Sequence, residues 1–106
     1  MGLFSFLKKP DINESVKEFR RTENAVLLDV RTPEEYAQGH IPGSKNVPLQ
    51  SIGDVSETVP ETDTPLFVYC RSGARSAQAA GLLSGMGYTD VRNIGGIMAW
   101  TGKIES

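Results

Sequence analysis

Two uninterrupted apolar runs, Ala25-Val26-Leu27-Leu28 and Leu66-Phe67-Val68-Tyr69, constrain the fold of this chain more than any other feature. Side chains of a strand alternate between two faces, so a strand with one wet face alternates apolar and polar residues. Runs without alternation read as strands buried on both faces. Helical patterns separate them. Ile12, Val16 and Phe19 recur at helical spacing among Glu14, Lys17, Glu18, Arg20 and Arg21, the signature of an amphipathic helix. Thr32-Pro33-Glu34-Glu35 offers a capping hydroxyl, a proline at the first helical position and acids in the first turn, and Gly39 can end that helix. His40-Ile41-Pro42-Gly43 reads as a turn and Asn46-Val47-Pro48 as a strand kept short by its proline. Ile52, Val55 and Val59 suggest a weak helix stopped at Pro60. Ala74 to Met86 reads as a small-residue helix closed by Gly87, Val91 to Ile94 as a third short strand, and Gly96 to Trp100 as a final helical turn. Strands alternating with helices predict an α/β sandwich, helices on both faces of a mainly parallel sheet.

At 106 residues the chain is expected to form one domain, residues 11–106, behind a short N-terminal segment, residues 1–10. Eleven Lys and Arg against 13 Asp and Glu leave a net charge of -2, without the basic footprint that nucleic acid requires. One cysteine makes neither an internal disulfide, a paired-cysteine redox centre nor a thiolate-rich zinc site. The apolar stretch in Met1-Gly2-Leu3-Phe4-Ser5-Phe6-Leu7-Lys8-Lys9 is too short for a signal-peptide core or a membrane span, and Phe6 stands where myristoylation needs Ser or Thr. A cytoplasmic protein is the expectation, and nothing in the sequence demands more than a monomer.

Chemistry concentrates in Cys70-Arg71-Ser72-Gly73-Ala74-Arg75-Ser76. A buried strand delivers Cys70 to its carboxyl end, a short glycine-containing loop follows, and a helix begins; in open α/β sheets ligands bind at that edge. Successive loop N–H groups and the free N–H groups of a helix N-terminus form an anion-binding nest. A thiol placed there is stabilised as its thiolate, and such sites lower cysteine pKa values from ~8.5 to roughly 3.5–7.5. The pattern therefore predicts a nucleophile and a cradle for the anion it attacks. An inert buried cysteine fits less well beside Arg71 and Arg75.

The loop resembles the active-site loop of the rhodanese family, Cys-Arg-x-Gly-x-Arg/Thr, at every specified position. Four further segments agree in order: Leu28-Asp29-Val30-Arg31; Glu35-Tyr36; Gly39-His40-Ile41-Pro42-Gly43-Ser44 with Asn46-Val47-Pro48; and Gly95-Gly96 followed by Ala99-Trp100. The resemblance spans roughly residues 11 to 103. It implies a three-layer α/β/α sandwich with a five-stranded mainly parallel sheet. It also implies sulfur transfer: Cys70 takes a sulfane sulfur from thiosulfate or a persulfide or polysulfide donor, holds it as a persulfide, and yields it to a thiol acceptor, a protein acceptor or cyanide. No metal or organic cofactor is expected, and without a second cysteine the acceptor must be external.

Arg71, Ser72, Gly73, Ala74 and Arg75 are the expected substrate-binding residues, with Asp29, Arg31 and Ser76 in support. Arg71 suits the donor's anionic end. Arg75, closing the loop, can bind the donor or bond back across the loop. Ser72 and Ser76 suit local loop or capping bonds. Asp29 can orient Arg31 or the loop, donate a proton, or hold backbone N–H groups, the last being favoured. His40 is read as part of a turn rather than as a base. Phosphatases and arsenate reductases with a related Cys-x5-Arg loop are the main alternative, although here four residues separate Cys70 from Arg75. A non-catalytic docking module is the third.

Overall fold

The computed structural model describes residues 10–106, so the expected N-terminal segment lies, apart from Pro10, outside the described residues. Four strands form a fully parallel sheet: β1 (Val26–Asp29), β2 (Ser44–Asn46), β3 (Leu66–Cys70) and β4 (Val91–Gly96), in the order β2-β1-β3-β4. The chain moves to one side of β1 to make β2, then returns past it to make β3 and β4. The carboxyl ends of β1 and β3 thus flank a topological switch point, where α/β sheets open a crevice.

Both faces are covered, as the unbroken apolar runs require. Helix α1 (Ile12–Arg21) lays Ile12 and Val16 against Leu27, Phe67 and Tyr69. The opposite face carries α3 (Ala74–Gly85), whose Ala79 and Leu83 pack with Leu28, Leu66 and Val68, joined by Ile52 and Val55 of a 3-10 helix over Leu49–Glu57. Helix α2 (Pro33–Gln38) is capped as its sequence predicts: the Thr32 hydroxyl accepts from Glu35 N, and the Glu35 carboxylate accepts from Thr32 N.

The differences from expectation have local causes. Among the described residues the sheet has four strands rather than five; Glu105 joins His40 in a single antiparallel bridge rather than a ladder. The strand expected at 46–48 is centred two residues earlier, at Ser44–Asn46, because Pro48 has no N–H to extend it. The weak helix expected over Ile52, Val55 and Val59 is a 3-10 helix that spans Leu49–Glu57, with a break at Ser51, and the final turn is a 3-10 turn over Ile97–Ala99. β4 runs two residues beyond the expected end at Ile94, to Gly96, with a register shift between Val68 and Tyr69 of β3.

Candidate active site

β3 is buried along its whole length and ends at Cys70, which is 1% exposed. The chain then turns at Gly73, whose φ of 108° lies in the left-handed region, and enters α3 at Ala74. The loop lies directly on β4. A Cβ at Gly96 would stand 2.2 Å from the Arg71 carbonyl oxygen and 2.6 Å from Ser72 Cα, so only glycine permits this approach. Met98 N donates to the same Arg71 oxygen at 3.1 Å and fixes the loop from its far side.

Cys70 Sγ accepts a hydrogen bond from Gly73 N at 3.0 Å. Burial pushes the thiol up, but the Ser76 hydroxyl and the N–H groups of Ser76, Gly73 and Ser72 together outweigh it, leaving the thiol below its ordinary value. The sulfur occupies an N–H nest at the start of a helix, the arrangement expected from the loop sequence.

The supporting residues divide into those near the sulfur and those that brace the crevice. Arg71, Ser72 and Ala74 are exposed, so Arg71 is free to face solvent beside the loop. Arg75 does not bond back across its own loop as the sequence suggested. Its Nη1 and Nη2 bind the two Glu35 oxygens at 2.7 and 3.0 Å, tying α3 to α2. The physical reason is reach: the start of α2 brings a planar acceptor that matches both guanidinium donors, whereas backbone carbonyls offer single acceptors. The pair holds the Glu35 carboxyl down at about 2, against an opposing effect of burial and with help from Thr32 N–H.

Asp29 is fully buried at the end of β1, opposite Tyr69 and one residue from the level of Cys70. Its carboxylate accepts from Arg31 N at 2.9 Å and from Arg31 Nη2 at 2.7 Å, and Arg31 Nη2 also reaches Gly39 O at 2.7 Å. Asp29 and Arg31 therefore brace the β1 turn against the end of α2. His40 stacks on Tyr36 with ring centroids 3.7 Å apart and pairs through its backbone with Glu105, a structural setting.

Two contributors escape a linear reading. Glu35 appears in the sequence as a helix-capping acid, with no sign of its bond to Arg75 forty residues later. Asn93, inside β4, accepts from the Ser76 hydroxyl at 2.7 Å and from Gly95 N at 3.1 Å, fastening the first turn of α3 to the sheet. In the sequence Asn93 is one of two polar residues between Val91 and Ile94, with nothing to mark it out from Arg92.

The family model for the rhodanese-like domain matches residues 13–103. The thiosulfate sulfurtransferase PspE of Escherichia coli strain K12 is 44% identical over 71 residues, covering 66% of this chain and 68% of that protein. A sulfurtransferase of Allochromatium vinosum is 46% identical over 80 residues, 74% of each chain. Among solved structures, a rhodanese-like domain protein from Staphylococcus aureus superposes with a TM-score of 0.79 at 30% identity, covering 92% of this chain and 96% of that one. No helix among the described residues is long and apolar enough to cross a membrane.

Proposed function

The chain belongs to the rhodanese-like domain family, and from that premise we propose that it is a sulfurtransferase that carries sulfane sulfur on Cys70. The observation that carries this reading is the Cys70 sulfur seated in the N–H nest, with Gly73 N at 3.0 Å and the thiol held below its ordinary value. A thiolate is the attacking species in sulfur exchange, and donors that favour it lower the need for a separate base.

In the loading step the Cys70 thiolate attacks the outer sulfur of thiosulfate. A bond forms from Sγ to that sulfur, the sulfur–sulfur bond of the donor breaks, and its electron pair leaves with sulfite. The resulting persulfide is anionic, so the N–H groups that held the thiolate also hold the carried sulfur. In unloading, cyanide or a thiolate attacks the outer sulfur and takes it, and the electron pair of the broken bond returns to Sγ. Arg71, exposed beside the nest, supplies a cation for the donor's sulfonate end. Arg75 stays on Glu35 and contributes charge rather than a direct contact, while Ser72, Gly73 and Ala74 contribute backbone.

Intact-protein mass spectrometry tests the proposal. After incubation with thiosulfate the chain gains the mass of one sulfur, cyanide removes it, and Cys70→Ser never acquires it. The proposal is overturned if thiosulfate, polysulfide and glutathione persulfide all leave the mass unchanged. Cys70-dependent hydrolysis of a phenyl phosphate ester without sulfur uptake would replace it with phosphatase chemistry.

A further inference from the structure

Two cations stand at the sulfur loop, and they are held differently. Arg71 is exposed and takes part in none of the ion pairs among the described residues. Arg75 is engaged: its Nη1 and Nη2 donate to Glu35 Oε1 and Oε2 at 2.7 and 3.0 Å, a planar fork on a planar carboxylate. The partners belong to different elements. Glu35 stands in the first turn of α2 and Arg75 in the first turn of α3, the helices that follow β1 and β3.

Without its partner Arg75 would have the sulfur within range. It lies two residues beyond Gly73, whose N–H holds Cys70 Sγ at 3.0 Å, and two helical residues advance the chain only about 3 Å. Its side chain is 35% exposed, so no packed core keeps it from turning. Glu35 first, and Cys70 after it, hold the guanidinium above its ordinary value against burial, so charge on the sulfur and charge on Arg75 already sense each other. A released guanidinium would bring a second cation, with five donors, to the path an anionic donor takes to Cys70.

Glu35 is well placed to prevent this. Its Oε1 also accepts from Thr32 N at 2.9 Å in the cap of α2, so the carboxylate is fixed to its own helix and Arg75 comes to it. Arg75 first, with help from Thr32 N–H, holds its carboxyl down at about 2, and it stays ionised wherever a cysteine thiolate forms.

We propose that Glu35 is a specificity-determining residue of the sulfur site: it draws the Arg75 guanidinium onto α2, so that a sulfur donor approaching Cys70 meets one free cation, Arg71, rather than two. A single cation matches a donor that presents one anionic group, such as a sulfonate or a carboxylate, and it holds the departing anion less firmly than a pair would. The inference rests on the reading of Cys70 as the group that attacks the donor.

Two alkylating agents of similar size test it. Iodoacetate carries a negative charge and iodoacetamide none, and both react with the thiolate of the chain's one cysteine. The midpoint of alkylation against pH is set by the thiolate for either reagent. The ratio of the two rates at one pH therefore cancels thiolate content and access, and reports the charge that a reagent meets. The charged groups around that path are Arg71 of the loop, Arg75 with Glu35, and the Asp29–Arg31 pair at the end of β1.

In Glu35→Ala at low salt the iodoacetate-to-iodoacetamide ratio rises about threefold. The rise fades at about 1 M salt, where the screening length is about 3 Å. In an Arg75→Gln background the same substitution raises the ratio less, because there is no guanidinium to release. An unchanged or lower ratio in Glu35→Ala overturns the proposal, since a pair that only braces α3 against α2 changes both rates together. An equal rise with and without Arg75 is the charge of Glu35 acting alone and overturns it too.

Glu35→Gln supplies the second test should Glu35→Ala fail to fold. Glutamine still accepts from Thr32 N in the cap of α2, but it offers Arg75 one neutral oxygen in place of two charged ones. The ratio rises here as well, by less than in Glu35→Ala, and an unchanged ratio overturns the proposal. Neither measurement needs a sulfur donor. A wild-type chain that takes up no sulfur would remove the sulfurtransferase reading, while the ratios would still decide the role of Glu35.

Discussion

Glu35 serves two helices with one carboxylate. Its Oε1 accepts from Thr32 N at 2.9 Å, closing the cap of α2, and from Arg75 Nη1 at 2.7 Å, while Oε2 takes Arg75 Nη2 at 3.0 Å. Arg75 first, and Thr32 N–H after it, hold the folded carboxyl at about 2, against an ordinary value of 4.5. A depressed folded value stabilises the native state above the unfolded pKa, and this stabilisation is lost as pH falls toward the folded one. For a pair that remains partly in solvent the contribution is on the order of 1–2 kcal/mol. Glu35→Gln should therefore lower the urea midpoint at pH 7, with the gap to wild type closing between about pH 4.5 and pH 2. A gap that stays constant across that window would show that the ion pair contributes no pH-linked stability.

At the scale of elements, the loop between β3 and α3 is shaped as much by β4 as by its own sequence. Gly96 has an extended backbone with φ of -127°, so its requirement for glycine comes from contact rather than conformation. The atoms a Cβ would meet are backbone atoms of Arg71 and Ser72, which cannot swing aside as a side chain could. Gly96→Ala should cost about 1–3 kcal/mol, the usual range for overpacking, and should raise the alkylation midpoint of Cys70 as the nest is pushed open. Thermal unfolding and iodoacetamide titration of the same sample check both. Gly95 is the contrasting neighbour: its φ of 102° needs glycine for backbone reasons, and a Cβ there would meet only Pro10 O at 3.8 Å. A Gly-Gly pair in the sequence signals a turn, but not which glycine serves conformation and which serves contact.

Over the whole molecule, the sheet divides the interior into two cores. Leu28, Leu66 and Val68 face α3 and the 3-10 helix, while Leu27, Phe67 and Tyr69 face α1. Ile41 lies in the second core and Ile52 in the first. Ile41→Val and Ile52→Val should each cost about 0.5–1.5 kcal/mol. The double variant should equal their sum within about 0.5 kcal/mol, because the two share no side-chain neighbours. Denaturant unfolding of the three variants measures this, and a larger coupling would mean that the sheet transmits strain between its faces. Tyr69 shows how the crevice side is closed: its hydroxyl accepts from Ile41 N at 3.1 Å and donates to Ser44 Oγ at 3.1 Å, joining β3 to the turn before β2.

The sequence by itself determined the layers, the helix start at Thr32, the delivery of Cys70 to the end of a buried strand and the nest that follows it. These are local properties: periodicity, capping chemistry and loop composition act over a few residues and can be read along the chain. Only the tertiary structure decided that Arg75 binds Glu35, that Asn93 accepts from the Ser76 hydroxyl, that Gly96 rather than Gly95 admits the loop, and how far each short strand pairs. Each of these joins groups between 17 and 40 residues apart, or turns on the register between strands. A hydrogen bond depends on tenths of an ångström in three dimensions, and no spacing along a sequence encodes that distance.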